Sequence, residues 1–193
     1  MKRKQLYGLL IILAIACVGV GWNINHSGNS KNKTNVTILQ AEYPQYDTAP
    51  DLVGASDLVF QGTVRNIKYQ MLDVSTEKGR DQDTGLLESE AMPYTLYTID
   101  VEKVYKGPLK EPTITIKRPG GKFENNEYIT ENAPEILTGR DYLFIAESYE
   151  NSYPSLLNPT QSAYDMGASQ DAEKKKKTDI TAADILALFG SFE

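Results

Sequence analysis

Tyr94, Tyr97 and Tyr105 fall in one strand-like run, and Lys117 and Arg118 close the next, so aromatic rings and cations recur in neighbouring elements. Rings flanked by cations such as Lys103, Lys117 and Arg118 can stack on a ligand and meet its charge, which makes these residues a candidate ligand face. The same tyrosines have a simpler use, because an apolar ring with a wet tip is ordinary strand furniture.

Other chemistry is thinly supplied. The one histidine, His26, lies in a polar linker, so Ser-His-Asp and Cys-His catalysis lack their imidazole and zinc sites lack their usual donors. Asp81-Gln-Asp83-Thr-Gly85 begins like a calcium loop, but Gly85 and Met92 stand where the fifth and twelfth ligands belong, and a solvated loop is the expectation. Pro119-Gly120-Gly121 lacks the lysine and helix signal of a phosphate-cradling loop. Carboxylates are the remaining means of hydrolysis. No catalytic, metal or cofactor-binding residue is expected, and the chain is read as a non-enzyme.

Two long runs, 55–72 and 93–107, must position any such face. In the first, Leu58, Phe60, Gly62 and Val64 alternate, and the apolar phase then jumps by three to Ile67, Tyr69 and Met71. In the second, Thr95, Tyr97, Ile99 and Val101 alternate before a jump of three to Val104. Such slips mark bulges, and two long strands that each slip once predict a small antiparallel barrel. Gly62 in mid-strand fits a bend.

Shorter strands are predicted at 113–117, near 128–130, at 142–146 and at 162–166. The nearly continuous apolar run Tyr142-Leu-Phe-Ile-Ala146 marks a central strand. Pro50, Leu52 and Val53 suit a short helix within 47–56, and the charged stretch 73–93 reads as a long exposed loop. Thr181-Ala-Ala-Asp184 is a helix start, with Ile180, Ala183, Leu186, Ala187 and Phe189 as its apolar stripe. That stripe either packs on the barrel or serves a partner or membrane surface. The lysines of 174–177 read as a solvated hinge.

Lys2, Arg3 and Lys4 precede seventeen uncharged residues, 6–22, before the chain turns polar at Asn23. A bilayer span takes about 17 to 25 residues and a signal-peptide core about 7 to 15, so an uncleaved anchor is the leading reading. Ala14-Ile15-Ala16 is also a cleavage site, and Leu13-Ala14-Ile15-Ala16-Cys17 resembles a lipobox with its Leu one place early, which leaves lipidation at Cys17 or simple secretion as alternatives. The cationic flank stays inside, so the rest of the chain faces outward on the cell membrane.

The whole chain carries −6, and without its three N-terminal cations 17 basic residues face 26 acidic ones, which argues against a nucleic-acid partner. A single cysteine allows no intrachain disulfide, so stability must come from the core. The organisation read from composition is an anchor over 1–22, a flexible tether over 23–44, a β-domain over 45–167, and a charged hinge with an amphipathic helix over 168–193.

Ala55-Ser-Asp-Leu-Val-Phe-Gln-Gly-Thr-Val, then Tyr94-Thr-Leu-Tyr-Thr-Ile-Asp-Val-Glu-Lys-Val-Tyr-Lys-Gly, then Leu137-Thr-Gly-Arg-Asp-Tyr-Leu-Phe form a pattern that resembles small exported Gram-positive proteins of unassigned function. More distantly it is similar to the netrin-like module of tissue inhibitors of metalloproteinases. The resemblance spans about residues 48–167 and implies a mostly β fold, a small OB-like antiparallel barrel with short flanking helices, preceded by the apolar membrane segment. Those inhibitors chelate the protease zinc through an N-terminal cysteine, and no cysteine begins this domain.

The expected function is therefore a membrane-tethered extracytoplasmic binding module for a protein or cell-envelope component. An exported protease inhibitor working through a loop, or a carboxylate-based hydrolase, are the alternatives.

Overall fold

The computed structural model describes residues 34–39, 42–73, 91–167 and 179–190. Within them the chain is mostly β, with two short helices. The segment 1–22, Cys17, the run 81–85 and the lysines 174–177 lie outside the described residues. Among those described, no helix is long and apolar enough to cross a membrane.

The two long runs form β2 (Leu58–Leu72) and β3 (Met92–Lys106), paired antiparallel. Both expected slips are present as breaks in their register, at Arg65 on β2 and at Glu102 on β3, with a further one at Tyr105. Each extra residue bends its strand and increases the local twist. At Gly62 a Cβ would press into the Asp100 carbonyl and sit 2.8 Å from the Ile99 side chain, so only glycine lets the two strands approach there.

The bend brings β2 round to β7 (Asp141–Tyr149), with which it pairs antiparallel, and β3 continues to β4 (Thr113–Pro119). The circuit is closed by β8 (Ser152–Leu156), antiparallel to β7 and parallel to β4 through Lys117 and Ser155. Sequence reading gave no strand here. Pro154 and two serines hide the alternation, and the strand forms because a hairpin at Glu150 and Asn151 folds it back onto β7. The short β9 (Ala163–Asp165) adds to β7 over Tyr142 to Phe144.

Both faces of β2 and β7 are covered. Inside the circuit Phe60, Val64, Tyr97, Ile99, Ile116 and Phe144 form one core. Outside it, Val59, Leu143 and Ile145 pack on α1 (Ala49–Ala55) and α2 (Ala182–Ala187) through Leu52 and Ile185. This double burial is why Tyr142–Ala146 reads as an unbroken apolar run.

α1 is capped at its start by Thr48, whose Oγ1 accepts from the Asp51 N–H at 3.3 Å. The Lys106 ammonium closes its other end on the carbonyls of Val53 and Ser56. α2 has the expected capping box, Thr181 with Asp184. Its buried side is Ile185 with Ile180, Ala182, Leu186 and Phe189, whereas Ala183 and Ala187 of the expected stripe are exposed. The helix is too short for a broad stripe, and its buried position is Ile185.

A second sheet projects beside the circuit: β1 (Asn35–Leu39) pairs parallel with β6 (Asn126–Thr130), which pairs antiparallel with β5 (Gly121–Phe123). β1 falls within the stretch read as tether. Val36, Thr37, Ile38 and Leu39 favour extended backbone, but five such residues need a neighbour, and only the folded chain supplies β6.

Candidate functional site

Lys117 and Arg118 are consecutive on β4, so their side chains leave the sheet on opposite faces. They define two different environments. Arg118 places its guanidinium carbon 5.5 Å from the centre of the Tyr97 ring and donates from Nη1 to the Pro134 carbonyl at 2.7 Å. Tyr97 itself is buried in the inner core, so its ring offers no free face to a ligand. Burial pushes its phenol pKa up, with the Arg118 charge acting in the opposite sense.

Above this pair lies a cleft of about 490 Å³ between the end of the circuit and the β5–β6 hairpin. Tyr69 from β2 and Tyr128 from β6 line it, and Tyr69 is 43% exposed. The floor is bare backbone at Gly120 and Gly121, whose φ angles of 96° and 132° are open to glycine alone. A Cβ at Gly121 would come within 2.6 Å of the Tyr69 ring and 2.7 Å of Thr95 Oγ1. Thr95 Oγ1 donates to the Gly120 carbonyl at 2.8 Å, the Gly120 N–H donates to the Pro93 carbonyl, and Thr130 Oγ1 donates to the Pro119 carbonyl, so this corner is pinned from both sheets.

Lys117 faces the other way and is buried beneath tyrosine rings. It is 5% exposed, donates from Nζ to Ser152 Oγ at 2.7 Å, and lies 4.7 Å from the Tyr149 ring and 5.7 Å from the Tyr94 ring. No carboxylate among the described residues lies within ion-pair distance of it. Burial lowers its ammonium pKa, and the tyrosine faces offset part of the lost hydration.

Tyr105 is in neither place. Its ring stacks on Phe189 of the C-terminal segment at 5.4 Å, with the Lys103 ammonium 4.9 Å from its centre, and its hydroxyl donates to Gln61 Oε1 at 3.2 Å. The tyrosines and cations expected to share one ligand face therefore occupy three separate environments. Strand alternation and the bulge at Tyr105 separate them, and only Tyr97 with Arg118 touches the cleft.

The sequence reading missed Tyr69, Tyr128 and the Gly120-Gly121 floor as partners of Arg118. The glycines were legible as a turn, but their meeting with Tyr69 depends on β5 folding over β2.

Among the described residues, Asp141 is an acid whose surroundings raise its pKa. Its Oδ2 accepts from Gln61 Nε2 at 2.5 Å, while Oδ1 is buried without a hydrogen-bond partner. Burial, and to a lesser extent the charges of Glu102 and Asp165, hold its carboxyl above the usual carboxylate range. Glu102 in turn accepts from Thr63 Oγ1, and Asp165 pairs with Arg140 at 2.7 Å, so neither is poised as a partner acid. Among the described residues, no group of three or more His, Cys, Asp or Glu side chains is placed to hold a metal ion.

No protein-family model matches this chain, and no curated protein matches it.

Proposed function

We propose that this protein is a membrane-tethered, extracytoplasmic, non-enzymatic binding module whose ligand is a protein or a cell-envelope component. The apolar segment 6–22 with its cationic flank supports the tether, and the polar stretch after Trp22 supports an outward-facing domain. The circuit order β2-β3-β4-β8-β7, with its single parallel step from β4 to β8, supports reading the domain as an OB-like barrel. OB-type barrels bind on one strand face with adjacent loops.

The observation that carries the reading is the cleft. It joins an exposed Tyr69 ring, the Arg118 guanidinium and the Gly120-Gly121 backbone beside the β5–β6 hairpin. Rings supply stacking area at low entropic cost, and the guanidinium keeps donors for an incoming carbonyl or carboxylate.

A photo-crosslinking residue at Tyr69, in the full chain on the surface of the source cell, tests this. A discrete product that disappears with Arg118→Gln and is not formed from Tyr153 supports the cleft as the binding site. Identical products from positions 69 and 153, or a product indifferent to Arg118→Gln, overturns it.

A further inference from the structure

Alternation along β1 and β6 puts Val36, Ile38 and Ile129 on one face of the outer sheet, with Ile38 directly opposite Ile129. They are 58%, 59% and 44% exposed, which leaves a row of branched side chains in water. Among the described residues, β6 is the only strand paired with β1. Edge strands are ordinarily blunted by charge, proline or a bulge, yet Asn35–Leu39 has neither a charge nor a proline and runs in unbroken register. Glu127, the register partner of Val36, lies on the same face and pairs with Lys122 at 3.7 Å, so the acid in the row is matched by a cation.

Two further facts say what this face meets. Twelve residues, 23–34, separate the apolar segment from β1, and fully extended they reach no more than about 40 Å, so β1 is the part of the fold held nearest the bilayer. Charge is distributed in the same sense. Residues 1–41 contain five cations and no acid, whereas 42–193 carry 26 acidic against 15 basic residues, a net of −11. An acidic body is repelled by an anionic leaflet, and the β1 edge, whose own strand has no acid and whose facing Glu127 is paired with Lys122, is the part able to approach it.

We propose that the Val36, Ile38 and Ile129 face docks on the outer surface of the membrane, an inference that rests on the anchor proposed above. Three branched side chains are too few to hold a free protein on lipid. Tethering makes the contact intramolecular, and a high effective concentration lets a small apolar row suffice. Docking would fix the domain's orientation instead of leaving it to swing on its tether.

The single cysteine makes the test direct. In the full chain carrying Cys17→Ser, nitroxide labels are placed at Ile38→Cys, Ile129→Cys and, on the far helix, Leu188→Cys, and the protein is reconstituted in phosphatidylglycerol-containing vesicles. Docking predicts that labels at 38 and 129 are shielded several-fold from an aqueous nickel complex and reached by oxygen, while 188 behaves as in water. It also predicts that Val36→Ser, added to the Ile129 label, restores aqueous access there. Equal aqueous access at all three positions, in protein that resists carbonate extraction, overturns the docking and leaves the anchor standing. Release by carbonate overturns the anchor, and the docking with it.

Discussion

Lys117 and Arg118 are neighbours in sequence, each lies against tyrosine, and they do opposite work. Lys117 is enclosed by Tyr94, Tyr149 and Ser152, and its interactions are satisfied within the fold. Arg118 rests on Tyr97 at the edge of an open cleft and spends one donor on Pro134. A cation beside an aromatic ring is therefore no sign of a binding face until the side of the sheet is known. On the closed side it is part of the packing, and on the open side it is available to a ligand.

The largest expected effect is at the closed side. Lys117→Ala leaves a void between two tyrosines and deprives Ser152 of its partner, for a loss of about 2–4 kcal/mol in urea unfolding. A loss below about 0.5 kcal/mol, the range of ordinary surface substitutions, would make Lys117 equivalent to a solvent residue and break the contrast.

On the open side, Gly121→Ala meets both a φ of 132° and the Tyr69 ring 2.6 Å away, which predicts a cost of about 1–3 kcal/mol. Hydrogen exchange is expected to rise first at the amides of Asn126–Thr130, since β5 pairs with that strand. Unchanged protection there would show that the cleft floor yields without cost.

Lys117→Met conserves volume and removes the charge, so a change under about 1.5 kcal/mol is expected at neutral pH. Its pH dependence is more telling. Burial puts the folded lysine pKa below the ordinary 10.5, so across that interval the unfolded chain binds the extra proton and wild-type stability rises with pH. The Met variant lacks this rise. The comparison is best made below about pH 10, because tyrosines whose pKa is raised, led by Tyr149 through its burial, destabilise the fold as pH climbs past their ordinary value of 10.0. Parallel pH profiles for the two proteins would mean that the ammonium is effectively solvated.

The smallest effect belongs to Arg118→Gln, which should lower stability by less than about 1 kcal/mol, as a partly exposed side chain on a surface carbonyl. If thermal unfolding showed a loss as large as that of Lys117→Ala, Arg118 would be a structural residue and the cleft would lose its claim.

Much of the circuit was legible because local patterns record it. Alternation and slip in 58–72 and 92–106 marked both long strands and the bulges at Arg65 and Glu102. The unbroken run of Tyr142–Ala146 marked a strand buried on both faces, and Thr181 with Asp184 marked a helix start. β8 and β1 were not legible, since Pro154 and two serines hide the alternation of β8, and the partner of β1 lies far along the chain. The candidate site suffered most. Tyr94, Tyr97 and Tyr105 look alike in sequence, and their separation depends on which face each strand turns inward and on one bulged residue.

By itself the sequence determined what local periodicity and composition can encode: the strand-rich class, the slips that bend the two long strands, the helix caps, the acidic body and the cationic apolar start. Tertiary structure alone decided that Lys117 is enclosed and Arg118 open, that Gly121 lies against Tyr69, and that β1 joins β6. Those relations join residues distant along the chain, and the chain fixes them only when its bends bring the two sheets together.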